Sequence, residues 1–115
     1  MKRDPSCVFC KIVAGEIPAK KAYEDDELLA FHDIAPWAPV HVLVIPKRHI
    51  ASFYDVNDGD AAMLGRMLAL APKLMKELGV TNGFRTVLNT GPDGGQEVYH
   101  LHLHVMGGPR PWLKG

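Results

Sequence analysis

The sequence feature that most constrains the fold is a nine-residue run near the carboxyl terminus. Residues 98–106 read Val-Tyr-His-Leu-His-Leu-His-Val-Met, so imidazole and apolar side chains alternate along it. Successive side chains of a strand point to opposite faces, and this alternation therefore predicts a strand with an apolar core face. The other face would carry His100, His102 and His104, spaced about 6.7 Å apart by the rise of a strand.

Three imidazoles on one face of a strand permit two kinds of chemistry. Imidazole nitrogen is a preferred ligand of zinc, so the three side chains could bind a metal ion. Imidazole also titrates near neutral pH and acts as a nucleophile or as a general acid and base. A third interpretation is the polar face of an edge strand without chemical function. The residues alone leave metal binding and nucleophilic catalysis both open.

The rest of the chain predicts an antiparallel α+β domain. Three further runs indicate strands at 27–33, Val40–Ile45 and Phe84–Asn89, and a short helix or turn is expected at 7–13. One long helix is predicted where apolar residues recur with a period of 3.6: Met63, Leu64, Met67, Leu68, Ala71, Leu74, Met75 and Leu78.

Composition excludes several classes of function. The chain has 115 residues, enough for one domain over 1–115, with 13 basic and 13 acidic residues and no net charge. A nucleic-acid-binding protein or a protein of anionic membrane surfaces would show a basic excess. No apolar stretch is long enough to span a membrane, and the amino terminus lacks the apolar segment of a secretory signal, so a cytoplasmic location is expected.

The chain has two cysteines, and their spacing is Cys7-x-x-Cys10. This is the spacing of half a structural zinc site. A thioredoxin-like redox function is disfavoured because no strand precedes the pair and no βαβ pattern surrounds it. The remaining alternative is that both thiols pack as small buried apolar groups.

Residues 100–106 resemble the His-φ-His-φ-His-φ-φ signature of the histidine triad family, in which φ is an apolar residue. The flanking segments 94–99 and Gly107-Gly108 are similar to the Hint branch, the nucleoside phosphoramidate hydrolases. Segments 16–20, 30–36 and 41–49 extend the resemblance over almost the whole chain. It implies a five-stranded antiparallel sheet with one long helix and a short amino-terminal helix. It also implies a homodimer, in which two sheets join into one of ten strands.

The resemblance further implies the reaction. His102 would attack the α-phosphorus of a purine nucleoside 5′-phosphoramidate, or of an aminoacyl-adenylate, and form a nucleotidyl-histidine. The amine leaves, and water then releases the nucleoside monophosphate. The backbone carbonyl of His100 would accept a hydrogen bond from the His102 ring, while His104 contacts the phosphoryl oxygens and His41 is bonded to the triad.

By the same resemblance, the nucleotide lies against three groups of residues. Asp33 would bind the ribose hydroxyls, although an Asp before a proline-rich loop is also a common turn residue. The base slot would be formed by Val8, Phe9, Phe31 and Ile34, with His32 at its edge. The phosphate contacts and their surroundings would come from Asn89, Gly95, Gln96, Glu97 and Val98.

The resemblance also gives the cysteine pair a function. Some members of the wider family bind zinc through this pair, with further ligands that match His49 and His100. One structural zinc per subunit, bound by Cys7, Cys10, His49 and His100, would leave His102 and His104 available for catalysis. Three alternatives remain: a dinucleoside polyphosphate hydrolase, a nucleotide-binding regulatory module with little turnover, and a metal-handling protein that binds metal through His102 and His104.

The carboxyl-terminal segment 109–115 departs from the family pattern. The best-known Hint proteins have a longer tail that contains tryptophan and proline, reaches the partner's site and affects which leaving group is accepted. Because this segment differs, the resemblance does not specify the leaving group of this chain.

Overall fold

The computed structural model describes residues 4–113 as one antiparallel sheet packed against helices. Two α-helices are formed, α1 (Val8–Val13) and α2 (Ala61–Glu77), and two short 3₁₀ turns (Phe53–Asp55 and Asp58–Asp60) precede α2. The strands are β1 (Lys21–Glu24), β2 (Leu28–His32), β3 (Val40–Pro46), β4 (Phe84–Val87) and β5 (Leu103–Gly107). Their order in the sheet is β1-β2-β3-β5-β4. The predicted α+β class and the long helix are confirmed.

The central strand β3 is covered on both faces. Val42 and Val44 pack in the core that contains the buried face of α2. Leu43 and Ile45 point to the opposite face and pack in a second cluster with Phe9 and other residues of α1. The sheet therefore separates two apolar layers. No helix among residues 4–113 is long and apolar enough to span a membrane.

The histidine strand is shorter than predicted, since β5 begins at Leu103 instead of residue 98. Val44 pairs with Leu103 in the β3–β5 ladder, which would bring Pro46 opposite Leu101. Proline has no backbone N–H, so the ladder cannot continue there. The Leu101 N–H donates instead to the Ile50 carbonyl at 2.7 Å.

The predicted alternation of faces nevertheless holds through this irregular segment. Leu101, Leu103 and Val105 all lie in the α2 core cluster. The rings of His100 and His102 contact Phe9, which belongs to the cluster on the other face. The core therefore maintains the alternation where the ladder does not.

Strand β1 was not predicted from its residues. Its four residues, Lys21–Glu24, have no apolar alternation and are exposed or half-buried at the edge of the sheet. Pairing with β2 defines the strand, and a bulge interrupts that pairing between Lys21 and Tyr23. Such an edge strand gives no period-two signal in the sequence.

Candidate active site

His102 has the hydrogen bonding of a neutral nucleophile. Its Nδ1 atom lies 2.6 Å from the backbone carbonyl oxygen of His100. A carbonyl only accepts hydrogen bonds, so Nδ1 carries the proton and Nε2 carries the lone pair of the neutral ring. Burial lowers the pKa of His102 below its usual value, which favours the neutral form.

A second chain of hydrogen bonds fixes the tautomer of His104. The backbone N–H of Trp37 donates to Nδ1 of His41 at 3.1 Å, so the proton of the neutral His41 ring is on Nε2. His41 Nε2 lies 2.9 Å from Nδ1 of His104 and donates to it. The neutral His104 ring therefore carries its proton on Nε2, as a donor, while His102 carries a lone pair there.

The rings of His104 and His41 are both held neutral by their surroundings. The pKa of His104 is lowered to about 4, mainly by burial and also by the neighbouring His102 and His41, while Asp33 acts in the opposite direction. Burial also lowers the pKa of His41. Neutral rings preserve the donor and acceptor pattern at pH 7.

His102 and His104 line a cavity of about 300 Å³ on the α1 side of the sheet. The full lining consists of Phe9, Asp33, Ala35, Trp37, Leu43, Asn89, Gly95, Glu97, Val98, His102 and His104. A larger cavity of about 670 Å³ lies beside the turn after α2 and contains none of the predicted site residues. The predicted chemistry therefore belongs to the smaller cavity.

Asp33 has both the turn role that its sequence context suggested and a position at the cavity, as the resemblance implied. One carboxylate oxygen accepts the backbone N–H of Ala35 at 2.8 Å, as in a turn. The other lies 3.6 Å from Nε2 of His41. The residue also lines the cavity, so its carboxylate has access to a ligand there.

Gln96 stabilises the glycine-rich loop with its polar groups. Its backbone N–H donates to the Gly91 carbonyl, and its side-chain amide donates to the carbonyls of Ala51 and Val98. Its side-chain oxygen accepts the Gly91 N–H at 2.9 Å. The Gly95 N–H is likewise bonded, to Pro92. The donors expected to contact phosphate from Gln96 and Gly95 are therefore engaged within the loop.

The structure brings together only part of the predicted base slot. Phe9 and Phe31 are buried in edge-to-face contact with centroids 5.3 Å apart, but only Phe9 lines the cavity. Ile34 is fully exposed and Val8 is 40% exposed. His32 lies half-buried at the end of β2, outside the lining residues.

Three lining residues were missed from the sequence: Ala35, Trp37 and Leu43. Leu43 had a usable signal, because period two along β3 places it on the face opposite Val42 and Val44. Trp37 lies in a loop between two prolines, where nothing local indicates which way the indole points. Its contacts with His41 and His104 in the folded structure identify it as part of the site.

The four predicted metal ligands converge in a separate cluster. The ligand atoms of Cys7, Cys10, His49 and His100 all lie within 4.8 Å of one another. His100 Nδ1 is 3.3 Å from the Cys7 sulfur and 3.6 Å from the Cys10 sulfur, and His49 Nδ1 is 3.3 Å from the Cys10 sulfur. Tetrahedral zinc with ordinary Zn–S and Zn–N bond lengths requires sulfur–nitrogen separations of about 3.6 Å. The donor set fits zinc.

One hydrogen bond of the cluster supports this fit, and the burial of one thiol acts against it. His100 Nε2 donates to the Pro46 carbonyl at 2.8 Å, so the lone pair of its Nδ1 faces the sulfurs. Burial raises the pKa of the Cys7 thiol, and a divalent cation would offset this by binding the thiolate. A second group, Asp33, His41 and His104, is less suited, because hydrogen bonds occupy both His41 nitrogens and Nδ1 of His104.

We expect acid to destabilise the protein in part through His104. The folded state holds its pKa near 4 against an ordinary value of 6.5, so protons bind more readily to the unfolded state between these pH values. Lowering the pH from 6.5 to 4 should therefore reduce the free energy of unfolding by about 2 kcal/mol through this residue. Urea unfolding of wild type and His104→Gln measures the effect. An equal loss in both proteins would show that His104 does not contribute.

Comparison with known proteins agrees with the fold. The profile of the family described as "Scavenger mRNA decapping enzyme C-term binding" matches residues 6–113. Protein HitA of Neisseria gonorrhoeae is 50% identical over 104 residues, which cover 90% of this chain and 97% of that protein.

Solved structures give the same result. A HIT family hydrolase of Legionella pneumophila Philadelphia 1 is 52% identical, with a TM-score of 0.88, over 91% of this chain and 95% of that one. A histidine triad protein of Clostridium difficile is 46% identical, with a TM-score of 0.90, over 96% of both chains. The chain therefore belongs to the histidine triad (HIT) family, and it is similar over nearly its whole length to a hydrolase of that family.

Proposed function

We propose that this chain is a purine nucleoside phosphoramidase of the Hint branch. It would hydrolyse the P–N bond between adenosine or guanosine monophosphate and an amine. The observation that carries the proposal is the 2.6 Å hydrogen bond from His102 Nδ1 to the His100 carbonyl, in a ring that lines the cavity. This bond leaves Nε2 as an unprotonated nucleophile at neutral pH.

The reaction proceeds in two steps. His102 Nε2 attacks the α-phosphorus, the P–N bond breaks, and the departing amine takes up a proton. Water then attacks the nucleotidyl-histidine, releases the nucleoside monophosphate and returns the ring to its neutral form. The Nε2–H of His104 stabilises the negative charge that grows on the phosphoryl oxygens. Glu97, which lines the same cavity, relays a proton from solvent to the departing amine in the first step and takes up the proton of the attacking water in the second.

The remaining polar lining binds the substrate. Asp33 accepts hydrogen bonds from the ribose hydroxyls through the carboxylate oxygen that faces His41. The Asn89 amide adds a neutral donor beside the phosphate. Phe9, Leu43 and Val98 surround the base with apolar side chains. The Gln96 side chain, whose donors are engaged, supports the loop instead.

We also propose one structural zinc per chain, bound by Cys7, Cys10, His49 and His100. Four protein ligands close the coordination shell, so the ion would stabilise the attachment of α1 to the sheet and take no part in the chemical step. The sulfur–nitrogen distances of 3.3–3.6 Å support this assignment. His102 and His104 remain outside the cluster, which separates catalysis from metal binding.

The active form is proposed to be a homodimer joined through β4. This strand lies at an edge of the sheet, and an unpaired edge is suited to continuing the sheet in a second copy. Phe84 at its start is 41% exposed. Sedimentation of the wild type should give the mass of two chains. Phe84→Glu should weaken association by at least about tenfold, and an unchanged dimer would move the interface elsewhere.

The substrate class is tested with two adenosine compounds that differ in the bond to be broken. Adenosine 5′-phosphoramidate carries a P–N bond, and diadenosine tetraphosphate carries only P–O bonds at the α-phosphorus. We expect kcat/KM to be at least about tenfold higher for the phosphoramidate. The reverse order would favour the dinucleoside polyphosphate hydrolase. Tight binding of AMP without turnover of either compound would favour the regulatory module.

A further inference from the structure

Four rings line the cavity in a row. Neighbouring centroids are 5.3 Å apart from Phe9 to His102, 4.9 Å from His102 to His104, and 5.4 Å from His104 to Trp37. Phe9 therefore lies at one end of the row and Trp37 at the other. The proposed nucleophile lies between two aromatic walls of one cavity of about 300 Å³.

Trp37 is held firmly at its end of the row. Its loop is flanked by Pro36 and Pro39, each of which restricts the backbone. Its N–H donates to His41, and its carbonyl accepts the Leu113 N–H at 2.8 Å. The indole stacks nearly parallel on His104, with 16° between the ring planes. The wall is therefore preorganised before any substrate arrives.

The order of the rings determines what Trp37 meets. In the function proposed above, on which this inference rests, the base lies at the Phe9 end and the phosphorus at His102. The phosphorus also carries the amine. Because the base occupies the Phe9 end of the row, the amine is placed at the end formed by His104 and Trp37. An aromatic wall there gains free energy from apolar and ring contacts with the amine.

We propose that Trp37 determines the leaving-group specificity of this chain. The indole forms the wall of an amine subsite, and it selects phosphoramidates whose amine carries an aromatic group over the phosphoramidate of ammonia. Trp37 lines the cavity, whereas none of the described residues of the divergent segment 109–115 does.

The proposal is tested by a ratio of specificities. The two substrates are AMP joined to phenethylamine and AMP joined to ammonia, each assayed for kcat/KM with wild type, Trp37→Ala and Trp37→Phe. The wild type should prefer phenethylamine by about tenfold or more, and Trp37→Ala should remove about tenfold of that preference. Trp37→Phe should retain most of it, because it keeps a ring.

The ratio separates specificity from general damage to the site. If Trp37→Ala displaces His104, kcat/KM falls for both substrates together, and the ratio of the two values does not change. The backbone N–H to His41 is present in every variant. The matched control is Tyr54→Ala, because Tyr54 is another large aromatic residue, is 85% exposed and does not line this cavity. Its ratio should equal that of the wild type.

Binding provides a readout that requires no turnover. In a Trp112→Phe, His102→Ala protein, Trp37 is the only tryptophan, so indole emission reports this residue alone. The phenethylamine compound should shift the emission, and AMP should shift it much less. The inference would be overturned if both ligands shifted the emission equally and Trp37→Ala left the ratio of specificities unchanged. The proposed phosphoramidase function would not be affected by that result. A wild type that hydrolyses neither compound would overturn the proposed function as well.

Discussion

Replacing His102 with Ala is expected to abolish hydrolysis of adenosine 5′-phosphoramidate while bound zinc remains at the wild-type level. The variant removes the imidazole that supplies the proposed nucleophile. The hydrogen bond from Nδ1 of His102 to the His100 carbonyl leaves the lone pair of that ring on Nε2. Loss of a nucleophile lowers turnover by about a thousandfold or more. The measurement is release of AMP under saturating substrate, with zinc counted in both proteins by elemental analysis.

Zinc content separates the two interpretations of the triad. His102 is not among the four clustered ligands, so its loss should leave the ion in place. A variant that loses both turnover and zinc would indicate that the triad is part of the metal site. A variant that retains turnover would show that another group attacks phosphorus, and the mechanism proposed here would be wrong. Circular dichroism of the variant excludes unfolding as the cause of inactivity.

Removing the proposed zinc site is expected to have the largest effect on stability. Cys10 is 1% exposed, and its sulfur lies near both His49 and His100. Cys10→Ser should lose the proposed ion and lower the melting temperature by about 10 °C or more, because a zinc bound by these four ligands would link α1 to the sheet. Turnover should also fall, since His100 supplies the carbonyl that orients His102.

Lys11→Ser is the matched control for this experiment. It changes the next residue of the same helix, and Lys11 is not among the clustered ligands. This variant should contain one zinc per chain and melt close to the wild type. A strong chelator applied to the wild type should reproduce the Cys10→Ser melting temperature, and added zinc should restore it. If the wild type contains no zinc and both variants melt alike, the cysteines are ordinary buried thiols.

Much of the fold follows from local patterns in the chain. The long helix is evident because its apolar residues repeat every 3.6 positions, and α2 ends before Gly79, whose φ of 82° suits glycine. Strand β3 is evident from its β-branched run. The short edge strand β1 is not, because pairing with β2 creates it. The start of β5 also depends on a partner, since Pro46 lies on another strand and ends the ladder.

The same distinction between local patterns and tertiary contacts applies to the site. The alternation of three histidines and the Cys-x-x-Cys spacing are local, so the sequence alone determined that this chain carries three imidazoles on one face and a cysteine pair with the spacing typical of half a zinc site. The proton positions on His102 and His104 depend on partners such as the His100 carbonyl and His41, 63 residues from His104. Trp37 becomes part of the site through its tertiary contacts with His41 and His104. The sequence specifies which chemical groups are present. The tautomers of the histidines and the set of side chains that line the cavity depend on contacts that only the folded sheet brings together.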